Sequence, residues 1–102
     1  MKMYTGYRDE SGCDVFVDGE ILDPKFDLIN HSPDGFEWGY CGSGPSQLAF
    51  AILWDFLEDK TLTPYLYQKF KFDVISHLAE DEFTLTGDQI QAWIDSTMGD
   101  ND

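Results

Sequence analysis

The side chains of this 102-residue chain with chemistry to offer are two histidines, two cysteines, the atoms around a Gly42-Ser43-Gly44-Pro45 turn, and twenty carboxylates. A histidine acting as a base needs a positioned second group and a nucleophile. His31 neighbours Ser32 only in sequence, inside the turn His31-Ser32-Pro33-Asp34-Gly35, and His77 stands near a helix end, where an imidazolium complements the helix dipole. Neither arrangement supports catalysis, so the chain reads as non-enzymatic, with no catalytic residue. Cys13 and Cys41 form no CxxC pair and have no histidine at zinc spacing. Two buried free thiols are expected, with no metal and no cofactor.

Successive N–H groups at Gly42-Ser43-Gly44, opening a helix, could make a nest for a phosphate or carboxylate. Pro45 removes one donor and no Lys follows as it does in a P-loop, so tight packing of the helix is the plainer reading. Glu37, Trp38, Ser43 and Gln47 nevertheless outline a small-ligand site or enzyme centre around this turn, which would require a concave pocket beside it.

The carboxylates are the strongest signal. Twenty Asp and Glu against six Lys and Arg leave a formal net charge of −14. That charge disfavours direct binding of DNA, RNA or an anionic membrane and favours a basic protein partner. Residues 9–34 hold eight acids and one base, Lys25, and residues 80–102 hold seven acids and no base, while Lys60, Lys69 and Lys71 are confined to the middle. An acidic surface ordinarily serves solubility. Segregation on this scale also suits a surface that docks in a basic groove. The candidates for partner binding are Asp14, Asp18, Glu20, Glu80, Asp81, Glu82, Asp88 and Asp95, with Phe16 as an apolar anchor, unless a helix covers the face that bears it.

The elements that must position these groups follow from periodicity. Cys13, Val15 and Val17 alternate with Asp14, Phe16 and Asp18, a strand with one covered face. Tyr4 to Tyr7 precedes it across a hairpin loop at Asp9-Glu10-Ser11-Gly12, and Asp18-Gly19 turns the chain toward Ile21-Leu22. Phe26 to Ile29 is either a short strand or a loop docked by its apolar side chains. Gly44, Pro45 and Gln47 suggest a cap, a first-turn proline and a capping-box side chain. Leu48 to Trp54, apolar all round, predicts the most buried helix. Thr63-Pro64 opens a second helix to about Leu78, with Tyr67, Phe70, Val74 and Leu78 as its stripe. Phe83 to Leu85 could add a strand. Thr86 and Gln89 form a capping box for a third helix, whose Ile90, Trp93 and Ile94 face the core opposite Asp88 and Asp95.

The blocks His31-Ser32-Pro33-Asp34-Gly35-Phe36-Glu37-Trp38-Gly39-Tyr40, Gly42-Ser43-Gly44-Pro45-Ser46-Gln47-Leu48-Ala49 and Tyr67-Gln68-Lys69-Phe70-Lys71 closely resemble a domain-of-unknown-function family, numbered 6166. The resemblance spans nearly the whole chain. It implies a compact single domain of bacterial or mobile-element origin and assigns no reaction.

The expected fold is α+β: a small antiparallel sheet from the N-terminal part packed against three C-terminal helices, one domain over residues 1–102 with a frayed tail at 98–102. Polar residues directly after Met1-Lys2-Met3-Tyr4 lead us to expect no secretory leader, and the longest apolar run is about a third of a membrane span, so a cytoplasmic location is expected. A monomer or homodimer is expected as well. The leading expectation for function is an acidic protein that inhibits or modulates a basic nucleic-acid-handling protein, of anti-CRISPR or anti-restriction type, by steric block or DNA mimicry. The ligand site at the Gly-Ser-Gly-Pro turn is the alternative.

Overall fold

The segment in which Cys13, Val15 and Val17 alternate with Asp14 and Phe16 does form a strand, β2 (Gly12–Val17), in a computed structural model that describes residues 2–99. β1 (Met3–Asp9) pairs with it antiparallel, from Tyr4 opposite Val17 to Asp9 opposite Gly12. The connection is tight because the Asp9 carboxylate accepts from both the N–H and the hydroxyl of Ser11. Asp18 and Gly19 then take φ of +52° and +86°, the left-handed pair of a type I′ hairpin, and lead into β3 (Glu20–Ile21). A fourth strand, β4 (Glu82–Thr86), comes from the C-terminal part and pairs antiparallel with β1, giving the order β3-β2-β1-β4. β1 is therefore central. At Gly6 a Cβ would lie 2.1 Å from the Phe83 ring, so only glycine lets that ring fold across the strand.

Residues of all three helices share one core with the inner face of the sheet. α1 (Ser43–Phe56) is sealed on nearly every side, with Leu48, Ala49, Ala51, Ile52 and Leu53 fully buried, as an all-round apolar helix requires. Its start differs from the expectation. Gly42, not Gly44, occupies the cap position, Pro45 lies in the first turn, where a missing N–H removes no helical bond, and Gln47 makes no capping box. α2 (Thr63–Asp73) also stops earlier than its pattern predicts. The backbone breaks from helical geometry at Val74, and a 3₁₀ turn follows at Ile75–His77. This brings Ile75 into the core beside Leu66 and Phe70, while Tyr67, Val74 and Leu78 are only partly covered.

α3 (Gly87–Gly99) begins with the predicted capping box: Gln89 N–H donates to the Thr86 hydroxyl oxygen, and Thr86 N–H donates to the Gln89 side-chain carbonyl. Ile90 and Ile94 are buried, and Trp93 meets Phe70 edge-on at 4.9 Å. The helix includes residues 98 and 99, so that part of the expected frayed tail is helical; residues 100–102 lie outside the described residues. The segment Phe26–Ile29 is a turn closed onto the Lys25 carbonyl, not a strand, and Phe26 and Leu28 are exposed rather than docked.

The sheet and α1 are joined by a polar cluster at one edge of the core. Tyr4 donates its hydroxyl to the Asp55 carboxylate at 2.6 Å, and Lys2 donates to the same carboxylate at 2.8 Å. Burial by itself would raise the Asp55 pKa, but the bonds from Lys2 and Tyr4 and the charges of Lys2 and Lys60 outweigh it and hold it below the usual carboxylate range. A depressed folded-state pKa contributes stability that is present above the unfolded value, about 4, and lost as pH falls through the lower folded value. Asp55→Asn is therefore expected to lower the melting temperature at neutral pH and to narrow its gap from the native protein below about pH 4. Thermal scans across that range check it, and a constant gap at every pH would show that Asp55 does not carry the dependence.

Candidate functional site

Period-two alternation places two different surfaces on the sheet. Tyr4, Val15, Phe83 and Leu85 face the helices and belong to the core. Their neighbours face outward, and the strand register arranges them in rows. Tyr7 stands between Asp14 on β2 and Glu82 on β4. In the next row Ile21, Phe16, Thr5 and Thr84 lie side by side across all four strands. Tyr7 and Phe16 are in contact, with ring centroids 6.1 Å apart. The face is open: Ile21 is 79%, Tyr7 48% and Met3 46% exposed. Phe16 is half-buried, meets the Tyr7 ring, and is not among the side chains packed against the core in the described residues.

The outer face thus brings together Asp14, Phe16 and Glu82 from the predicted set. Asp18 is at the β2–β3 turn, where its carboxylate accepts the Met3 N–H at 2.9 Å. Glu20 pairs with Val17, so it projects from the opposite side of the sheet, although exposed there. Glu80 and Asp81 are exposed in the connection leading to β4. Asp88 and Asp95 lie on the solvent side of α3, in the helical layer, with Asp95 accepting from the Gln91 side chain. Tyr7, Thr5 and Ile21 were not among the sequence candidates. The alternation Tyr4-Thr5-Gly6-Tyr7 carried the signal for the first two, once hairpin register aligned it with β2.

Ion pairing leaves this acidity intact. Among the described residues the ion pairs are Lys2–Asp55, Arg8–Glu37, Lys25–Asp23 and Lys69–Asp73, none of which uses a candidate for partner binding. Lys60 instead donates to the Trp54 and Leu57 carbonyls at the end of α1, and Lys71 is buried with its ammonium 4.4 Å over the Phe72 ring. Carboxylates exposed without a basic neighbour keep their field at the surface.

The four residues outlined around the Gly-Ser-Gly-Pro turn do not form an open site. Trp38 is fully buried and donates its indole N–H to the Ala79 carbonyl. Gln47 is fully buried as well: its amide nitrogen donates to the Pro24 and Ile29 carbonyls, and its oxygen accepts from the N–H groups of His31 and Ser32. Glu37 is bound to the Arg8 guanidinium, which also lies 4.9 Å over the Trp38 ring. A Cβ at Gly44 would come within 2.5 Å of the Glu37 Cβ, so the glycine here lets loop and helix pack closely. Only Ser43 of the four is exposed.

The thiols also depart from expectation, since Cys41 is exposed and Cys13 is partly exposed beside Arg8. No helix among the described residues is long and apolar enough to cross a membrane.

The model of a family described as "Family of unknown function (DUF6166)" matches residues 4–96, from β1 to near the end of α3. No curated protein and no solved structure matches the chain.

Proposed function

Because the chain belongs to the family of unknown function DUF6166, whose description names no reaction, its surface must carry the functional reading, and we propose that it is a non-enzymatic acidic protein that docks through its outer sheet face onto a basic, nucleic-acid-handling protein. Binding there would exclude nucleic acid sterically or by presenting carboxylates where phosphates would lie, the logic of an anti-CRISPR or anti-restriction inhibitor. The observation that carries this is the uncovered face itself: Tyr7 between Asp14 and Glu82, with Phe16 and Ile21 alongside. An aromatic and aliphatic centre with a charged rim is the anatomy of an interface in which the apolar residues supply affinity and the charges steer encounter.

The test is capture by the tagged protein from a host lysate, washed at graded salt and challenged with duplex DNA. A basic nucleic-acid-binding protein retained at low salt, released by salt and displaced by DNA is expected. Phe16→Ala should weaken that complex by about 2 kcal/mol, roughly 30-fold in Kd. Asp14→Asn with Glu82→Gln should slow association and flatten its salt dependence. Capture of no basic partner at low salt, or capture indifferent to Phe16→Ala, removes the proposal.

A further inference from the structure

A groove of about 230 Å³ opens at the free edge of β2, between β3 and the turn at 33–36. β3 pairs with β2 only at Phe16 and Val17, so Cys13 and Asp14 lie on a stretch of β2 with no strand beyond it. Leu22, Phe26 and Phe36 supply apolar walls, Asp14 and Asp34 supply carboxylates, and no Lys, Arg or His lines the space. Neither Asp14 nor Asp34 takes part in an ion pair among the described residues. The volume is below the roughly 300–1,000 Å³ of sites for whole small molecules, and so suits a single side chain rather than a nucleotide or cofactor. Ile21 and Asp14 line the groove and also belong to the outer face, so the two surfaces are continuous.

We propose that this groove receives an arginine side chain of the basic partner, its aliphatic stem along Leu22 and its guanidinium between the Phe rings and the two carboxylates. The proposal rests on the reading of the outer face as a docking surface and adds to it a specificity pocket for one residue type. Apolar walls suit the methylene stem, and exposed carboxylates that no ion pair neutralises attract a cation. Arginine fits better than lysine because its planar, weakly hydrated guanidinium stacks on aromatic rings and offers paired N–H donors to a carboxylate. Phe26, 39% exposed in its turn, gains a function as one wall of the pocket.

Cys13 in the groove wall supplies the test. Burial pushes its thiol pKa up more than the bond from Arg8 lowers it, so alkylation is run at about pH 9, where a slow but measurable thiolate fraction reacts. Cys41→Ser removes the exposed thiol, and mass spectrometry follows Cys13. The probe is acetyl-Ala-Arg-Ala-amide, with its lysine counterpart and its neutral citrulline counterpart as comparisons. At a concentration of about twice its Kd the arginine peptide should slow alkylation about threefold. The lysine peptide should protect less and the citrulline peptide not at all, and Asp34→Asn should weaken arginine protection by about tenfold.

No protection by the arginine peptide up to about 50 mM, well above the millimolar affinity expected of one side chain, overturns the proposal. Equal protection by the citrulline peptide, or protection unchanged in both Asp34→Asn and Asp14→Asn, overturns it as well. Asp34 lies outside the strand rows of the outer face, so a partner captured through Phe16 but indifferent to Asp34→Asn would remove the arginine pocket and leave the docking surface standing. Peptide protection without any captured partner would leave the pocket and remove the docking surface.

Discussion

Trp38→Ala is expected to remove about 3–5 kcal/mol of stability, the range for deleting a buried large aromatic side chain. The loss is placed at the upper end by what the indole joins. Trp38 is fully buried, packs edge-on against Phe83 of β4 at 4.9 Å, donates to the Ala79 carbonyl at 2.8 Å, and carries the Arg8 guanidinium over its ring. One side chain therefore ties the loop before α1 to β1, to β4 and to the connection leading into β4. A domain of this size has about 5–15 kcal/mol in total, so the variant should unfold at a much lower urea concentration with an unchanged slope. Trp38→Phe keeps most of the apolar contact and loses the indole donor, and should cost less than half as much. A midpoint shift in Trp38→Ala worth under about 1 kcal/mol would mean that the loop reorganises around the vacated space.

Gln47→Leu should cost about 3 kcal/mol or more, although it replaces a polar core residue with an apolar one of similar size. The reason is the set of backbone groups left behind. The carbonyls of Pro24 and Ile29 and the N–H of His31 each depend on the Gln47 amide, and an unmade bond at a buried group costs about 1–3 kcal/mol. Water entering the 24–32 segment would relieve part of this, so hydrogen exchange at the His31 amide should accelerate more than exchange within α1. Gln47→Glu provides a control of opposite sign. Its carboxylate faces two carbonyls in a buried site, which raises the folded-state pKa, so its stability should be greatest at low pH and fall as pH rises. Equal destabilisation at pH 4 and pH 7 would show that the carbonyls are not the groups Gln47 serves.

The sequence signals that held are those whose physics is local. The Cys13-to-Val17 alternation, the Asp18-Gly19 turn, the Thr86–Gln89 capping box and the all-round apolar α1 each depend on residues a few positions apart, and each is present. The signals that failed are those decided by tertiary packing or sheet register. Gln47 has the spacing of a capping-box side chain, yet the carbonyls it satisfies belong to a loop 18 and 23 residues earlier. The stripe through Tyr67, Phe70, Val74 and Leu78 has helical spacing, but the helix breaks at Val74 and Ile75 takes the core position instead. Glu20 and Phe16 look like neighbours in an acidic segment, and pleating puts them on opposite sides of the sheet.

The opening inventory of chemistry-bearing residues divides along the same line. From sequence alone came the family resemblance, the α+β class, the burial of α1 and the −14 charge with its two acidic segments. The tertiary structure decided which of those acids stand together. Asp14 and Glu82 flank one tyrosine only because β4 returns from the far end of the chain to pair with β1, and that pairing is set by the burial of Phe83 and Leu85 against a core built from every helix. The opposite face of the sheet stays open, with Tyr7 and Ile21 exposed to solvent beside the half-buried Phe16.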